Sequence, residues 1–120
     1  MIKTQGLTHV HLLVEDLDRS LRFYTEVFGM QEQFRDGPRM VFLNTPGSGD
    51  SITLNEQPGD ARIGGGGIEH IGFRLVDKSE LDDAIDQVEA AGGKFIRRGE
   101  HAPGVHFAYV ADPDGYVIEL

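Results

Sequence analysis

The sequence predicts an α+β fold in which two β-α-β-β-β units form an open, strongly curved, eight-stranded mixed sheet. Three observations lead there. Hydrophobic periodicity runs through the order strand, helix, three strands twice in succession. His9 to Asp16 and His70 to Asp77 span the same seven positions. Both copies end on one apolar frame, Ile52-Thr53-Leu54 and Ile118-Glu119-Leu120.

In residues 7–14, Val10, Leu12 and Val14 alternate with His9, His11 and Leu13, the pattern of a half-buried strand. Asp16 is placed to cap a helix, because its carboxylate can accept from the free N–H groups of the first turn. Leu17, Leu21, Tyr24 and Phe28 form one helical stripe that Gly29 stops. Strands over 31–35, 39–44 and 51–55 follow, separated by Asp36-Gly37-Pro38 and Pro46-Gly47-Ser48-Gly49. The second copy begins with a strand over 68–76, followed by Ser79 as the expected cap. A stripe of Leu81, Ile85 and Val88 then runs to Gly92-Gly93. Strands over 94–97, 107–111 and 116–120 close it, the last two joined by Asp112-Pro113-Asp114-Gly115.

One domain is expected, with module one at 1–57, a linker at 58–66 and module two at 67–120. The glycines Gly64 to Gly67 precede a strand, not a helix, so they read as a flexible linker instead of a phosphate cradle. The 120 residues carry 11 Lys and Arg against 20 Asp and Glu, a formal charge of −9. That balance argues against nucleic-acid and membrane partners. Cysteine is absent, which excludes disulfides, thiolate zinc sites and Cys nucleophiles. No leader pattern opens the sequence and no apolar run approaches ~20 residues, so a cytoplasmic protein is expected.

The face of the sheet turned away from the helices carries the chemistry. His9 and His70 occupy the same register in the two units, and Glu119 lies between two helix-facing residues of the last strand. If the units curve around a shared cleft, these three converge. Two imidazoles and a carboxylate can hold one face of a six-coordinate metal and leave positions open for substrate. A histidine in a strand can equally be a core residue satisfied by a backbone carbonyl. The duplicated register and the need of a buried carboxylate for a partner favour the metal.

The chain resembles the vicinal oxygen chelate superfamily, which includes glyoxalase I, extradiol dioxygenases, methylmalonyl-CoA epimerase and the fosfomycin and bleomycin resistance proteins. The resemblance rests on His9-Val10-His11-Leu12, the run from Asp16 to Tyr24, His70-Ile71-Gly72-Phe73-Arg74, and Asp112-Pro113-Asp114-Gly115 through Glu119. It implies a divalent metal on His9, His70 and Glu119, with Thr53 at an optional fourth ligand position that glyoxalases fill with Glu. Gly99, His101, Tyr109, Asp112, Pro113, Gly115 and Glu119 are similar to the extradiol signature, which implies that His101 and Tyr109 bond the substrate hydroxyl or bound oxygen.

The leading expectation is therefore a dioxygenase that uses Fe(II) or Mn(II) on a vicinal diol of the catechol type. The alternatives are a glyoxalase- or epimerase-like isomerase or lyase with Ni, Co or Zn, and a non-catalytic antibiotic-binding protein. His11 shares the cleft side and is expected either to bind substrate or act as acid–base, or to be a hydrogen-bonded lining residue. Arg74 lies four residues past His70 on the same face and could pair with a substrate carboxylate, and Phe107 could wall the cleft. Arg97 and Arg98 read as surface charge. A small-molecule substrate and a homodimer, with halves paired within a chain or exchanged between chains, complete the expectations.

Overall fold

Local chemistry starts and stops the first helix where the sequence places it. The computed structural model describes residues 1–3 and 5–120. Strand β1 (Val10–Val14) leads into helix α1 (Leu17–Phe28). Asp16 caps that helix by accepting from Arg19 N, and Gly29 ends it at φ 65°, the left-handed region that glycine enters freely. Glu56 adds a second cap, since its Oε2 accepts from Leu17 N at 2.8 Å. Strands β2 (Gln31–Arg35), β3 (Met40–Asn44) and β4 (Ile52–Glu56) complete the first unit.

The second unit contains β5 (Ile71–Gly72), α2 (Leu81–Ala90), β6 (Lys94–Ala102), β7 (Val105–Ala111) and β8 (Val117–Glu119). Its entry differs from the expectation. Asp77, not Ser79, is the cap: its carboxylate accepts from Ser79 N at 2.9 Å and Ser79 Oγ at 2.7 Å and begins a 3-10 turn over Lys78–Glu80. The strand expected over 68–76 is only Ile71–Gly72, extended by one bond from Phe73 N to Glu119 O.

Among the described residues, the eight strands lie in two four-stranded mixed sheets, ordered β1-β4-β3-β2 and β5-β8-β7-β6. The duplication is exact in register: β1 pairs parallel to β4 with Val10 opposite Ile52, and β5 pairs parallel to β8 with Ile71 opposite Ile118. One continuous eight-stranded ladder does not form in a single chain. A cleft of about 500 Å³, bordered by His9, Val10, Ile71 and Gly72, separates β1 from β5.

Leu12, Val14, Val41, Leu43 and Leu54 of the first sheet share one buried core with Ala108, Val110 and Ile118 of the second. Phe23 and Tyr24 of α1 and Ile85 and Val88 of α2 fill it. The units are also joined by polar bonds. The β7–β8 turn docks on α1, where Asp114 accepts from Arg19 at 2.6 Å and Ser20 Oγ at 3.0 Å. Tyr24 OH donates to Asp112 Oδ2 at 2.8 Å. The other Asp112 oxygen accepts from Asp114 N and Tyr116 N, both at 2.9 Å. Tyr116 OH donates to Leu13 O at 2.7 Å.

Burial pushes the Asp112 carboxyl up to about 6 from its ordinary 3.8, against the pull of these three hydrogen bonds. The folded chain thus retains a proton that the unfolded chain releases between those two values. The contribution of Asp112 to stability falls as pH rises through that window and is lowest above it. D112N keeps a carbonyl acceptor but cannot ionise. Measured by urea unfolding, it should gain on the wild type by up to about 3 kcal/mol between pH 4 and 7, and a gap that stays constant with pH would contradict this. A second prediction concerns Gly93, where a Cβ would lie 2.6 Å from Ala111 O and from Val88 Cγ1 and 2.9 Å from Phe23 Cε2. G93A should destabilise by about 1–3 kcal/mol through overpacking, and an unchanged unfolding midpoint would refute it.

Candidate metal centre

His70 immediately precedes β5 and Glu119 ends β8, and the parallel register sets Gly72 opposite Glu119. The two side chains meet, with His70 Nε2 2.9 Å from Glu119 Oε2. From the far edge of the same sheet, His101 brings its Nε2 to 2.5 Å from Glu119 Oε1. The carboxylate is held between two imidazoles. The hydrogen bond from His101 is the largest cause that keeps the Glu119 carboxyl below the usual range, with the positive character of both rings adding to it against a smaller opposing effect of burial.

Aromatic rings form the floor beside this group. Tyr109 lies opposite Glu119 across β7 and β8, with its ring 5.2 Å from that of His70. Phe107 is buried and stacks on His101 at 4.1 Å, and it meets Tyr109 edge-on at 5.2 Å. The guanidinium of Arg97 lies 4.6 Å from the Tyr109 ring centre and 5.4 Å from that of Phe107, a cation–π arrangement. Arg97 is exposed, in keeping with its reading as surface charge, but it stands on the site face. A register shift between Phe95 and Arg97 reverses the alternation, so Phe95 packs against the core while Arg97 joins the site face. The extra residue of a bulge leaves periodicity intact on either side, so nothing in the sequence pattern marks the reversal.

The first sheet presents the corresponding face with different chemistry. Its pairings set Thr53 where the second sheet has Glu119, Phe42 where it has Tyr109, and Phe34 where it has Arg97. His9 bonds Thr8 Oγ1 through Nδ1 at 2.8 Å, and its ring lies 6.2 Å from Phe42 and 6.5 Å from His11. His11 Nε2 is 3.1 Å from Asn55 Nδ2. Thr53 is fully buried and its Oγ1 has no hydrogen-bond partner. The structure thus brings His70, His101, Tyr109, Phe107 and Glu119 together, while His9 and His11 stay on the other sheet. Arg74 borders both the His9 cleft and a larger cavity beside Glu119.

Among the described residues, no group of three or more His, Cys, Asp or Glu side chains within one chain is arranged to hold a metal. His70 and Glu119 fit part of such a set, since an imidazole nitrogen and a carboxylate oxygen converge from fixed strand positions. The His70 Nδ1 is buried without a hydrogen bond, 3.2 Å from the Glu69 carboxylate, so Nε2 is the ring nitrogen that faces Glu119.

The model of the Glyoxalase/Bleomycin resistance protein/Dioxygenase superfamily matches residues 6–120. The chain belongs to this superfamily. It is 36% identical over 124 residues to a probable lactoylglutathione lyase of Vibrio parahaemolyticus, covering 95% of this chain and 88% of that protein. A probable lactoylglutathione lyase of Vibrio cholerae is 32% identical over 125 residues, with the same coverage of 95% and 88%. A fosfomycin resistance protein of Listeria monocytogenes, solved with Mn(II) and 1S,2S-dihydroxypropylphosphonic acid, superimposes with a TM-score of 0.80 at 24% identity. The superposition covers 98% of this chain and 90% of that one. The superfamily name includes dioxygenases, yet both of these relatives are named probable lactoylglutathione lyases, so the comparisons favour the glyoxalase alternative over the catechol dioxygenase.

The His101 bond gives a direct test of the electrostatics in metal-free protein. H101A removes the donor that most lowers the Glu119 carboxyl, so its titration, followed by carboxyl carbon NMR, should move up toward the ordinary carboxylate value. An unmoved titration would show that His70 alone holds the charge.

Proposed function

We propose that this chain is a divalent-metal-dependent isomerase or lyase of the glyoxalase type, acting on a small molecule with two neighbouring oxygens. The observation that carries the reading is the His70–Glu119 pair, 2.9 Å apart, in a chain similar along 95% of its length to lactoylglutathione lyases. The metal would be held by His70, Glu119 and the partner's His9 in a homodimer with exchanged halves. Support for the exchange comes from the edges: β1 and β5 each end their sheet without a further strand, and the site face of the first sheet leaves Phe34 59% exposed. Joining β1 of one copy to β5 of the other would also produce the curved eight-stranded sheet.

When bound, the metal supplies Lewis-acid polarisation of the substrate oxygens, which makes a neighbouring C–H bond more acidic. The protein groups do the rest. Glu119 presents one oxygen toward His70 and the other toward His101, so a proton taken from one carbon can be held on the Glu119 carboxylate and returned to the neighbouring carbon, while the bond from His101 steadies the ionised carboxylate. Tyr109 and Phe107 exclude water from one side of the group, and Arg97 places positive charge on the same face, where oxyanion character would develop. Thr53 offers a neutral hydroxyl at the position where glyoxalases carry a ligand carboxylate, so the set has three protein ligands and a single carboxylate base. Ni, Co and Zn are the favoured metals on this reading, with Fe(II) and Mn(II) as the others to test.

Metal-free protein loaded with each ion under nitrogen should form lactoylglutathione from glutathione and methylglyoxal. Oxygen uptake with catechols in the absence of that isomerisation would restore the dioxygenase. H9A and H70A should each lower turnover by more than the ~10–100-fold typical of losing an outer partner of a metal ligand. Mixing the two inactive variants should recover about a quarter of wild-type activity by rebuilding one intact site per mixed dimer. No recovery would place the whole metal set in a single chain.

A further inference from the structure

Beside Glu119 lies an open cavity of about 720 Å³ lined by Phe73, Leu75 and Leu81, with the exposed Val76 and Val105 at its rim, and its cations are Arg74 and Lys78. Neither cation has a carboxylate partner among the described residues, although the chain carries a formal charge of −9. Asp77, adjacent to Lys78, spends its carboxylate on Ser79. Arg35, Arg62 and Arg98 are each paired with Glu32, Asp60 and Asp82. Seven of the eleven Lys and Arg have no carboxylate partner among the described residues, and Arg74 and Lys78 are the two of these that line the cavity beside Glu119, where an anion could meet both.

We infer that Arg74 and Lys78 bind a carboxylate carried by the substrate, separated by a short apolar body from the oxygen pair at Glu119. The inference rests on the site reading above and names the substrate class. Arg74 follows His70 by four residues of extended chain, about 13 Å between Cα atoms, so a guanidinium reaching back would hold an anion several ångströms from the ligands. It also borders the cleft that contains this chain's own His9. A carboxylate suits the planar guanidinium fork. Phosphate fits less well, since it brings nearly two charges and three acceptor oxygens and no Ser or Thr lines this cavity. The sequence position alone left Arg74 undecided between solvent and substrate, and the second cation on the same cavity supports the substrate reading.

The test uses metal-free protein and no turnover. 4-Phenylbutyrate and its uncharged amide, 4-phenylbutyramide, are titrated by calorimetry and by NMR of the Arg74 side chain. The acid should bind at least about tenfold more tightly than the amide, shift the Arg74 resonance, and lose its advantage at about 0.5 M salt. The R74Q/K78Q double variant should bind acid and amide equally, retained amide binding showing that the cavity is intact. Binding of neither compound, equal affinities in the wild type, or an acid preference that survives in the double variant would each overturn the inference. Tighter binding of 2-phenylethyl phosphate than of the acid would overturn the choice of carboxylate. Failure here leaves the isomerase reading standing, because no metal or activity enters the measurement. An inactive metal-loaded enzyme would leave the anion site standing in turn.

Discussion

The two halves of this chain are held by a pair of carboxylates that almost leave water. Asp112 and Asp114, on the turn between β7 and β8, gather Tyr24, Ser20 and Arg19 from α1 and two backbone N–H groups of their own turn. Each oxygen that loses water gains a donor, which is the condition for burying a carboxylate at all. The consequence is directional. Once α1 is pinned to the far end of the second unit, the apolar faces of both sheets close on the helices and the opposite faces are left outward. The chemistry-bearing residues stand on those outward faces.

Duplication explains why the outward faces correspond, and divergence explains why they differ. The pairings Val10–Ile52 and Ile71–Ile118 give the two units one frame, so each residue of one face has a counterpart on the other. In that frame the first unit offers His9, Phe34, Phe42 and Thr53, while the second offers His70, Arg97, Tyr109 and Glu119. Charge has been concentrated on one copy and apolar surface on the other. The first face carries imidazoles and apolar walls, the second the carboxylate and Arg97.

Within the second face, fixed aromatic rings do the positioning. Phe107 and Tyr109 are buried, and His101, Arg97 and His70 each lie against one of them. A long guanidinium and two rotatable imidazoles are thereby restricted around Glu119 without a large number of hydrogen bonds. Both rings thereby turn a nitrogen to the one carboxylate.

Much was set by the sequence alone. The duplicated unit, the Asp16 and Gly29 limits of α1, and the shared register of His9 and His70 all follow from short-range rules. Capping, period-two alternation and glycine's access to positive φ act over a few residues and can be read locally. Tertiary structure decided the rest. The bulge after Phe95 moved Arg97 onto the site face, and Asp77 displaced Ser79 as the cap because its carboxylate captured both the Ser79 amide and its hydroxyl. The cleft between β1 and β5 kept the two histidines apart in one chain. Such outcomes depend on where a bulge inserts and how two sheets sit on a common core, and these are set by packing between residues far apart in sequence, to which local pattern is blind.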